Sequence, residues 1–148
     1  MKLNSFITTV FFFASSSAFA TPCFHQGLYK GMGIGADASG KSSVYSVNTA
    51  ITADNQASSD YTWSPSGKAN LTVVLKAGYA YVNGSINPSG PVVCDRAVTR
   101  ISMLGVENGL QLQVNEEWAF LGNYLLRHGT KTTNGVKIDY QELLIRQD

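Results

Sequence analysis

The sequence predicts an all-β domain, a single antiparallel meander of about eight strands that closes, or nearly closes, into a barrel. The first observation is an alternation of apolar and polar side chains over residues 110–115 and again over 136–141. This period of two is typical of a strand with one face in the core and the other in water. The second is the regular spacing of Gly, Asn, Pro and Ser turn signals, with no convincing helical period after residue 20. A β-sandwich is the alternative, but a closed barrel leaves no exposed strand edge and tolerates glycine-rich bends.

The segment 109–144 carries the clearest strand signals and is predicted to be three consecutive strands. The first of these strands places Leu110, Leu112 and Val114 on one face. The last strand places Val136, Ile138 and Tyr140 on one face. Residues 118–127 lie between them, are richer in apolar side chains, and are predicted as the middle strand, broken only by Gly122 and Asn123. Asn134-Gly135 predicts a tight hairpin turn before the last strand, because both residues tolerate positive φ.

Residues 1–20 have the pattern of a secretory signal peptide. Lys2 supplies a positive charge, residues 6–13 form a short apolar core, and Ala-Phe-Ala at 18–20 is a small-x-small cleavage site. The apolar run is too short to anchor the chain across a bilayer. We therefore expect a periplasmic or secreted protein in which residues 21–148 form a single β domain, with no membrane span after cleavage.

An exported chain passes into an oxidising compartment, where paired cysteines form disulfides. The sequence has two cysteines, so a Cys23–Cys94 disulfide is predicted.

The charge of the chain argues against a nucleic-acid partner. Without Lys2, the eleven Lys and Arg residues become ten and balance the ten Asp and Glu. Because no basic cluster is present, no nucleic-acid partner is predicted.

Residues 27–36 place glycine at almost every second position, where 27, 31, 33 and 35 are all Gly. As a strand this segment has one face nearly bare of side chains, which lets another backbone or a bulky side chain approach closely. A phosphate-binding glycine loop would need a strand before it and a helix after it, and the sequence has neither.

The rest of the chain reads as short strands joined by turns. Residues 43–52 are predicted as the second strand and 54–59 as a polar connection. The further predicted strands cover residues 61–63, 71–76, 79–82, 92–94 and 99–106.

Two short stretches resemble lipocalin motifs. Gly27-Leu28-Tyr29 is similar to the Gly-x-Trp start of lipocalins, and Ser59-Asp60-Tyr61 is similar to part of their Thr-Asp-Tyr motif. The tryptophan is a tyrosine here, and the second stretch follows the first too soon. These six residues do not assign the chain to that family, so the calycin-like outline of the predicted barrel rests on strand number and spacing.

Catalytic and metal chemistry finds little support in the residue patterns. The two histidines, His25 and His128, are expected in exposed loops, so no metal site is predicted. No serine lies in a nucleophile-elbow motif. Glu116 and Glu117 are adjacent on a predicted strand, so they point to opposite faces and cannot act as an acid/base pair. We predict neither catalytic residues nor a cofactor.

Aromatic residues are the remaining candidates for a site. We predict that the aromatic side chains nearest to glycines and turns line it, with Trp63 first because it precedes the Ser64-Pro65 turn, and then Tyr29, Tyr79, Tyr81 and Trp118. Tyrosine and tryptophan suit both a small apolar or aromatic ligand and a protein interface. The favoured hypothesis is a non-catalytic, ligand-binding exported barrel. One alternative is an interaction module for a protein of the cell envelope, such as an enzyme inhibitor or a surface-assembly subunit; the other is that these aromatics simply fill the core.

Overall fold

The computed structural model describes residues 23–64, 67–107 and 109–148, with backbone only for 106 and 107. The predicted signal peptide and its cleavage site lie outside the described residues. The described chain folds into ten strands: β1 Gly27–Asp37, β2 Ser42–Ile51, β3 Gln56–Trp63, β4 Gly67–Lys76, β5 Tyr79–Val82, β6 Gly90–Asp95, β7 Val98–Glu107, β8 Leu110–Leu121, β9 Tyr124–Thr133 and β10 Val136–Gln147. None of the described residues forms a helix with the length and apolar character needed to cross a bilayer.

The ten strands form a closed antiparallel barrel. Each strand pairs with its sequence neighbours, and β1 also pairs with β10, which completes the ring. The predicted meander and barrel are therefore confirmed, and the sandwich is excluded. The predicted number of strands, about eight, was too low. The two shortest, β5 and β6, with 4 and 6 residues, nevertheless coincide with the predicted strands at 79–82 and 92–94.

Two strand boundaries also differ from the prediction. Residues 56–59 belong to β3 instead of a polar connection, and Ser59 is buried in the barrel. The middle strand predicted at 118–127 is divided by a turn at Gly122-Asn123, where Leu121 pairs with Tyr124. In both cases the local signal was misleading: a polar inward face resembles a loop, and a short turn between two apolar runs resembles one strand.

The alternation near the C-terminus follows the predicted faces. Val114 is buried, and Ile138 and Tyr140 face inward and are partly buried. Leu110 and Val136 share that face but are 41% and 53% exposed, since they begin their strands at the barrel rim. The Asn134-Gly135 turn has positive φ at both residues, 50° and 77°, as the hairpin prediction requires.

The glycine face of β1 points into the barrel, where it makes room for a ring. A Cβ atom at Gly33 would lie 2.4 Å from Cζ of Tyr45, which is on β2. Since Gly33 pairs with both Tyr45 and Glu142, its missing side chain lets these two neighbours meet across β1. The predicted close approach at this face is confirmed.

Residues 23–26 cover the end of the barrel at which β1 begins, which we call the closed end. The predicted Cys23–Cys94 disulfide is formed and joins this segment to β6. Phe24 is only 2% exposed and stacks on Trp118 with ring centroids 4.6 Å apart. The hydroxyl of Thr99 also donates to the carbonyl oxygen of Cys23. The closed end is therefore sealed by an aromatic stack held in place by a disulfide.

Candidate functional site

Three aromatic side chains line the inside of the barrel towards its other end, which we call the aromatic end. The ring centroids of Tyr45 and Trp63 are 5.2 Å apart, and those of Tyr61 and Trp63 are 5.9 Å apart. Tyr45 and Tyr61 meet edge to face at 5.9 Å. Tyr45 is buried, whereas Tyr61 and Trp63 are partly exposed. Two members of this aromatic cluster, Tyr61 and Trp63, thus keep some exposed surface at the end of the barrel that residues 23–26 do not cover.

The described connections at the aromatic end include residues 83–89, between β5 and β6, and the turn at residues 37–42. The longest of them, residues 83–89, carries Ile86 at its tip, and that side chain is 91% exposed. The turn at residues 37–42 is held by the side chain of Asp37, which accepts a hydrogen bond of 2.9 Å from the backbone N–H of Ser39. At this end of the barrel, the side chains of Tyr61 and Trp63 are partly exposed.

A layer of charged and polar side chains lies beneath the aromatic cluster. Arg127 on β9 forms an ion pair with Glu142 on β10, and both side chains are almost completely buried. Arg127 also donates to the hydroxyl of Ser59 at 3.0 Å, and Ser59 is hydrogen-bonded to Thr49 at 2.9 Å. The hydroxyl of Tyr45 donates to Glu142 at 2.8 Å, which links the aromatic cluster to this layer.

Arg127 also lies between aromatic rings. Its guanidinium carbon is 4.5 Å from the ring centroid of Trp118 and 5.8 Å from that of Tyr61, which are cation–π distances. Burial by itself lowers the pKa of Arg127, but Tyr61, Glu142 and Glu116 outweigh burial and raise it. The arginine is therefore a fixed positive charge at the centre of the barrel.

Glu116 is the second carboxylate inside the barrel. It is 7% exposed, and its Oε2 accepts a hydrogen bond of 2.7 Å from the hydroxyl of Tyr140. Burial raises the pKa of Glu116, and the opposing effects of Arg127 and of the Tyr140 hydrogen bond do not compensate for it. The indole N–H of Trp118, which has no other partner among the described residues, also lowers the pKa of Glu116 by hydrogen bonding to its carboxylate.

The raised pKa of Glu116 gives a pH-dependent stability. A carboxyl whose pKa is higher in the folded than in the unfolded protein stabilises the fold at pH values below its pKa in the unfolded protein, which is near 4.5. This stability is lost as the pH rises through the pKa of the folded protein. We expect Glu116→Gln to gain free energy of unfolding relative to the wild type as the pH rises above 4.5, by up to about 1.4 kcal/mol per pH unit. Urea unfolding between about pH 4 and pH 8 measures this.

Glu117→Gln is the matched control for that experiment, because Glu117 points outward and binds Arg100 at 2.8 Å. Its difference from the wild type should stay within about 0.5 kcal/mol over the same range. If the unfolding free energies of Glu116→Gln and the wild type ran parallel with pH, the burial argument for Glu116 would be wrong.

The structure separates the five aromatic residues that the sequence predicted for a site. Trp63 lies in the aromatic cluster. Tyr29 and Trp118 are each 1% exposed, and both pack towards the closed end, where Tyr29 meets Phe120 edge to face at 6.1 Å. The remaining two, Tyr79 and Tyr81, flank the fully buried Ala80 on β5 and therefore point to the outside of the barrel. The structure does not bring the five together.

Three charged residues of the interior were not predicted: Arg127, Glu116 and Glu142. The signal was present, since Arg127 shares its face of β9 with Leu125, and Glu142 shares its face of β10 with Leu144. The prediction that Glu116 and Glu117 face opposite sides is confirmed.

The two histidines do not share a site. His128 lies in β9 instead of a loop, exposed and 3.5 Å from Glu117, and His25 stacks on Phe120 at 4.5 Å between ring centroids. No group of three or more His, Cys, Asp or Glu side chains in the described chain is placed to hold a metal ion.

Fold and site define a ten-stranded, disulfide-bonded closed barrel with one sealed end and a polar interior. A solved structure of a protein of unknown function from the DUF3598 family of Nostoc punctiforme PCC 73102 has a similar fold, with a TM-score of 0.60 and 12% sequence identity. The match covers 82% of this chain and 47% of that protein, so this chain spans about half its length. At that identity the likeness shows the fold alone. No protein-family model matches the chain, and no curated protein does.

Proposed function

We propose that this protein is an exported, non-catalytic binding protein that holds a small apolar or aromatic molecule at the aromatic end of its barrel. The observation that carries the proposal is the aromatic cluster of Tyr45, Tyr61 and Trp63, whose outer members stay partly exposed although they point into the barrel. Ligand sites in β-barrels lie at such mouths, with apolar walls and a few polar groups at their base.

The size of the barrel supports this proposal. Barrel diameter grows with strand number, and eight strands already enclose enough room for one small ligand. Here ten strands surround the interior. Large side chains fill the closed end, whereas partly exposed ones line the aromatic end. A ligand stacked on Trp63 would continue the packing that Tyr45 and Tyr61 begin.

Export is part of the same proposal. The Cys23–Cys94 disulfide fits an oxidising compartment. Together with the signal-peptide pattern of residues 1–20, it supports a periplasmic or secreted location.

Fluorescence titration with N-phenyl-1-naphthylamine, a small apolar aromatic probe, tests the binding site. We expect one saturable site in the wild type, and binding at least about ten-fold weaker in Trp63→Ala, because stacking aromatics dominate such contacts. Since Trp63 is partly exposed, the variant should lose less than the roughly 3–5 kcal/mol of a buried tryptophan.

Val44→Ser is the control for this titration, because Val44 precedes Tyr45 on β2 but is 53% exposed on the outside. It should bind the probe as the wild type does. Equal affinities in Trp63→Ala and the wild type would refute the site, and so would a stability loss of the full buried size, which would make Trp63 a core residue.

A second candidate is the protein-interaction module of the cell envelope. Exposed apolar side chains on the outside of four adjacent strands favour it: Met32, Ile34, Val44, Leu126 and Leu143. Because the described strands close into a ring, a partner would contact these side chains and not a free strand edge. Leu143→Glu should then abolish capture of a purified envelope partner while leaving probe binding unchanged.

A further inference from the structure

The outer wall of the barrel carries a continuous apolar surface across five neighbouring strands. Its centre is a row of cross-strand pairs, in which Leu143 on β10 pairs with Met32 on β1 and with Leu126 on β9. Next to this row, Ile34 on β1 pairs with Val44 on β2. Paired residues of neighbouring strands have their side chains on the same face of a sheet, so these five side chains lie side by side outside the barrel.

The apolar surface continues towards the closed end, where Ile145 pairs with Tyr124, and Tyr124 pairs with Leu121 on β8. We call these eight side chains the apolar patch. Each is 36–60% exposed, and together they present on the order of 700 Å² of mostly apolar surface. The largest apolar patch of a typical monomer covers about 300–600 Å², whereas a stable interface buries about 800 Å² per partner. The apolar patch therefore has the area of an interface.

The charged groups beside the apolar patch are few. His128 and Glu117 lie at its border 3.5 Å apart, and Glu117 also binds Arg100, so the charge of this carboxylate is compensated within the chain. Lys30, which pairs with Ile145, is exposed on the same face. One uncompensated positive charge beside eight apolar side chains gives no pattern that would select an acidic or a basic partner.

A second copy of the chain meets the requirements of such a surface. An apolar surface is complementary to itself, and a two-fold symmetric dimer is the commonest assembly of identical chains. The net charge of the chain is +1, so two copies repel each other little. A lipid surface is disfavoured, because binding to a membrane surface draws on clusters of Lys and Arg, which Lys30 alone does not form.

We infer that this protein forms a two-fold symmetric homodimer in which the apolar patch of one chain packs against the same patch of a second copy. Leu143 lies at the centre of the patch and becomes buried together with Met32 and Leu126. Because the patch lies on the wall of the barrel, the dimer leaves the aromatic end uncovered and does not depend on the ligand site proposed above. The second copy occupies the surface that an envelope partner would otherwise use.

Sedimentation equilibrium of the full protein, with its disulfide intact, tests this assembly. We expect twice the mass of one chain, with a dissociation constant in the micromolar range or tighter, as for interfaces of this size. Leu143→Glu should weaken the dimer at least about a hundred-fold, because the two-fold symmetry places two unpaired carboxylates in an apolar interface. Met32→Glu, on the neighbouring strand, should have the same effect, so the test stands even if one of the two variants fails to fold.

Leu104→Glu is the matched control, because Leu104 is 67% exposed on the outside of β7 and lies beyond the apolar patch. This variant should dimerise as the wild type does. A wild-type protein that stays monomeric at about 100 µM would overturn the dimer, and so would equal dimerisation of the wild type and both patch variants. A monomer that cosediments with phosphatidylcholine vesicles or binds a purified envelope protein, and loses this binding in Leu143→Glu, would assign the patch to that partner instead.

Discussion

Replacing Arg127 by methionine is expected to lower the free energy of unfolding by about 3–5 kcal/mol, the usual loss when one partner of a buried ion pair is removed. Arg127 and Glu142 are each almost fully buried, so the variant leaves the carboxylate of Glu142 without its counter-charge. It also removes the cation from the face of Trp118, 4.5 Å away. Urea unfolding followed by circular dichroism measures the loss.

The outward pair Arg100–Glu117 is the matched control for that variant. Arg100→Met breaks the same kind of ion pair, at 2.8 Å, but on a side chain that is 56% exposed. Its loss should not exceed about 1 kcal/mol. In the double variant Arg127→Met/Glu142→Gln, the loss should be smaller than the sum of the two single losses, because the uncompensated charge is removed. Equal losses in Arg127→Met and Arg100→Met would contradict the buried pair.

Replacing both cysteines by serine is expected to lower the free energy of unfolding by about 4 kcal/mol. The Cys23–Cys94 disulfide closes a loop with a sequence separation of 71 residues, and the chain-entropy model gives that order of stabilisation. The change also frees the segment that holds Phe24 against Trp118. Trp118 fluorescence, recorded in a Trp63→Phe background, should therefore shift to longer wavelength before the barrel unfolds.

Reduction of the disulfide in the otherwise unchanged protein is the control for the serine variant. It should lower the free energy of unfolding by a similar amount. A loss below about 1 kcal/mol by both routes would show that the closed end is held by packing alone and not by the disulfide.

The barrel could be predicted because its local signals agree with its topology. Tyr45, Val47, Thr49 and Ile51 alternate with exposed residues along β2, and each is buried as the alternation requires. The disulfide followed from the cysteine count. Strand extent was harder, since hydrophobic alternation assumes an apolar interior. Where β3 turns Ser59 inward to accept a hydrogen bond from Arg127, polarity hides the first half of the strand, of which only residues 61–63 were predicted.

The site could be predicted only in part, because local sequence does not show depth along the barrel. Trp63 and Trp118 both point inward, and what makes one partly accessible and the other buried is Phe24, which covers Trp118 from a distant part of the chain. Tyr79 was assigned from its neighbouring glycine, although its alternation with Ala80 places it outside. The pairing of Arg127 with Glu142 depends on the β9–β10 register, which no single segment reveals.

Ligand occupancy of the barrel is the central claim, and a native mass spectrum of the exported protein tests it most directly. We predict one non-covalently bound small molecule per chain, released on unfolding and retained by Val44→Ser. The same preparation of Trp63→Ala should show the mass of the chain alone. A wild-type spectrum with the chain alone, or with a protein partner and no small molecule, would contradict the account.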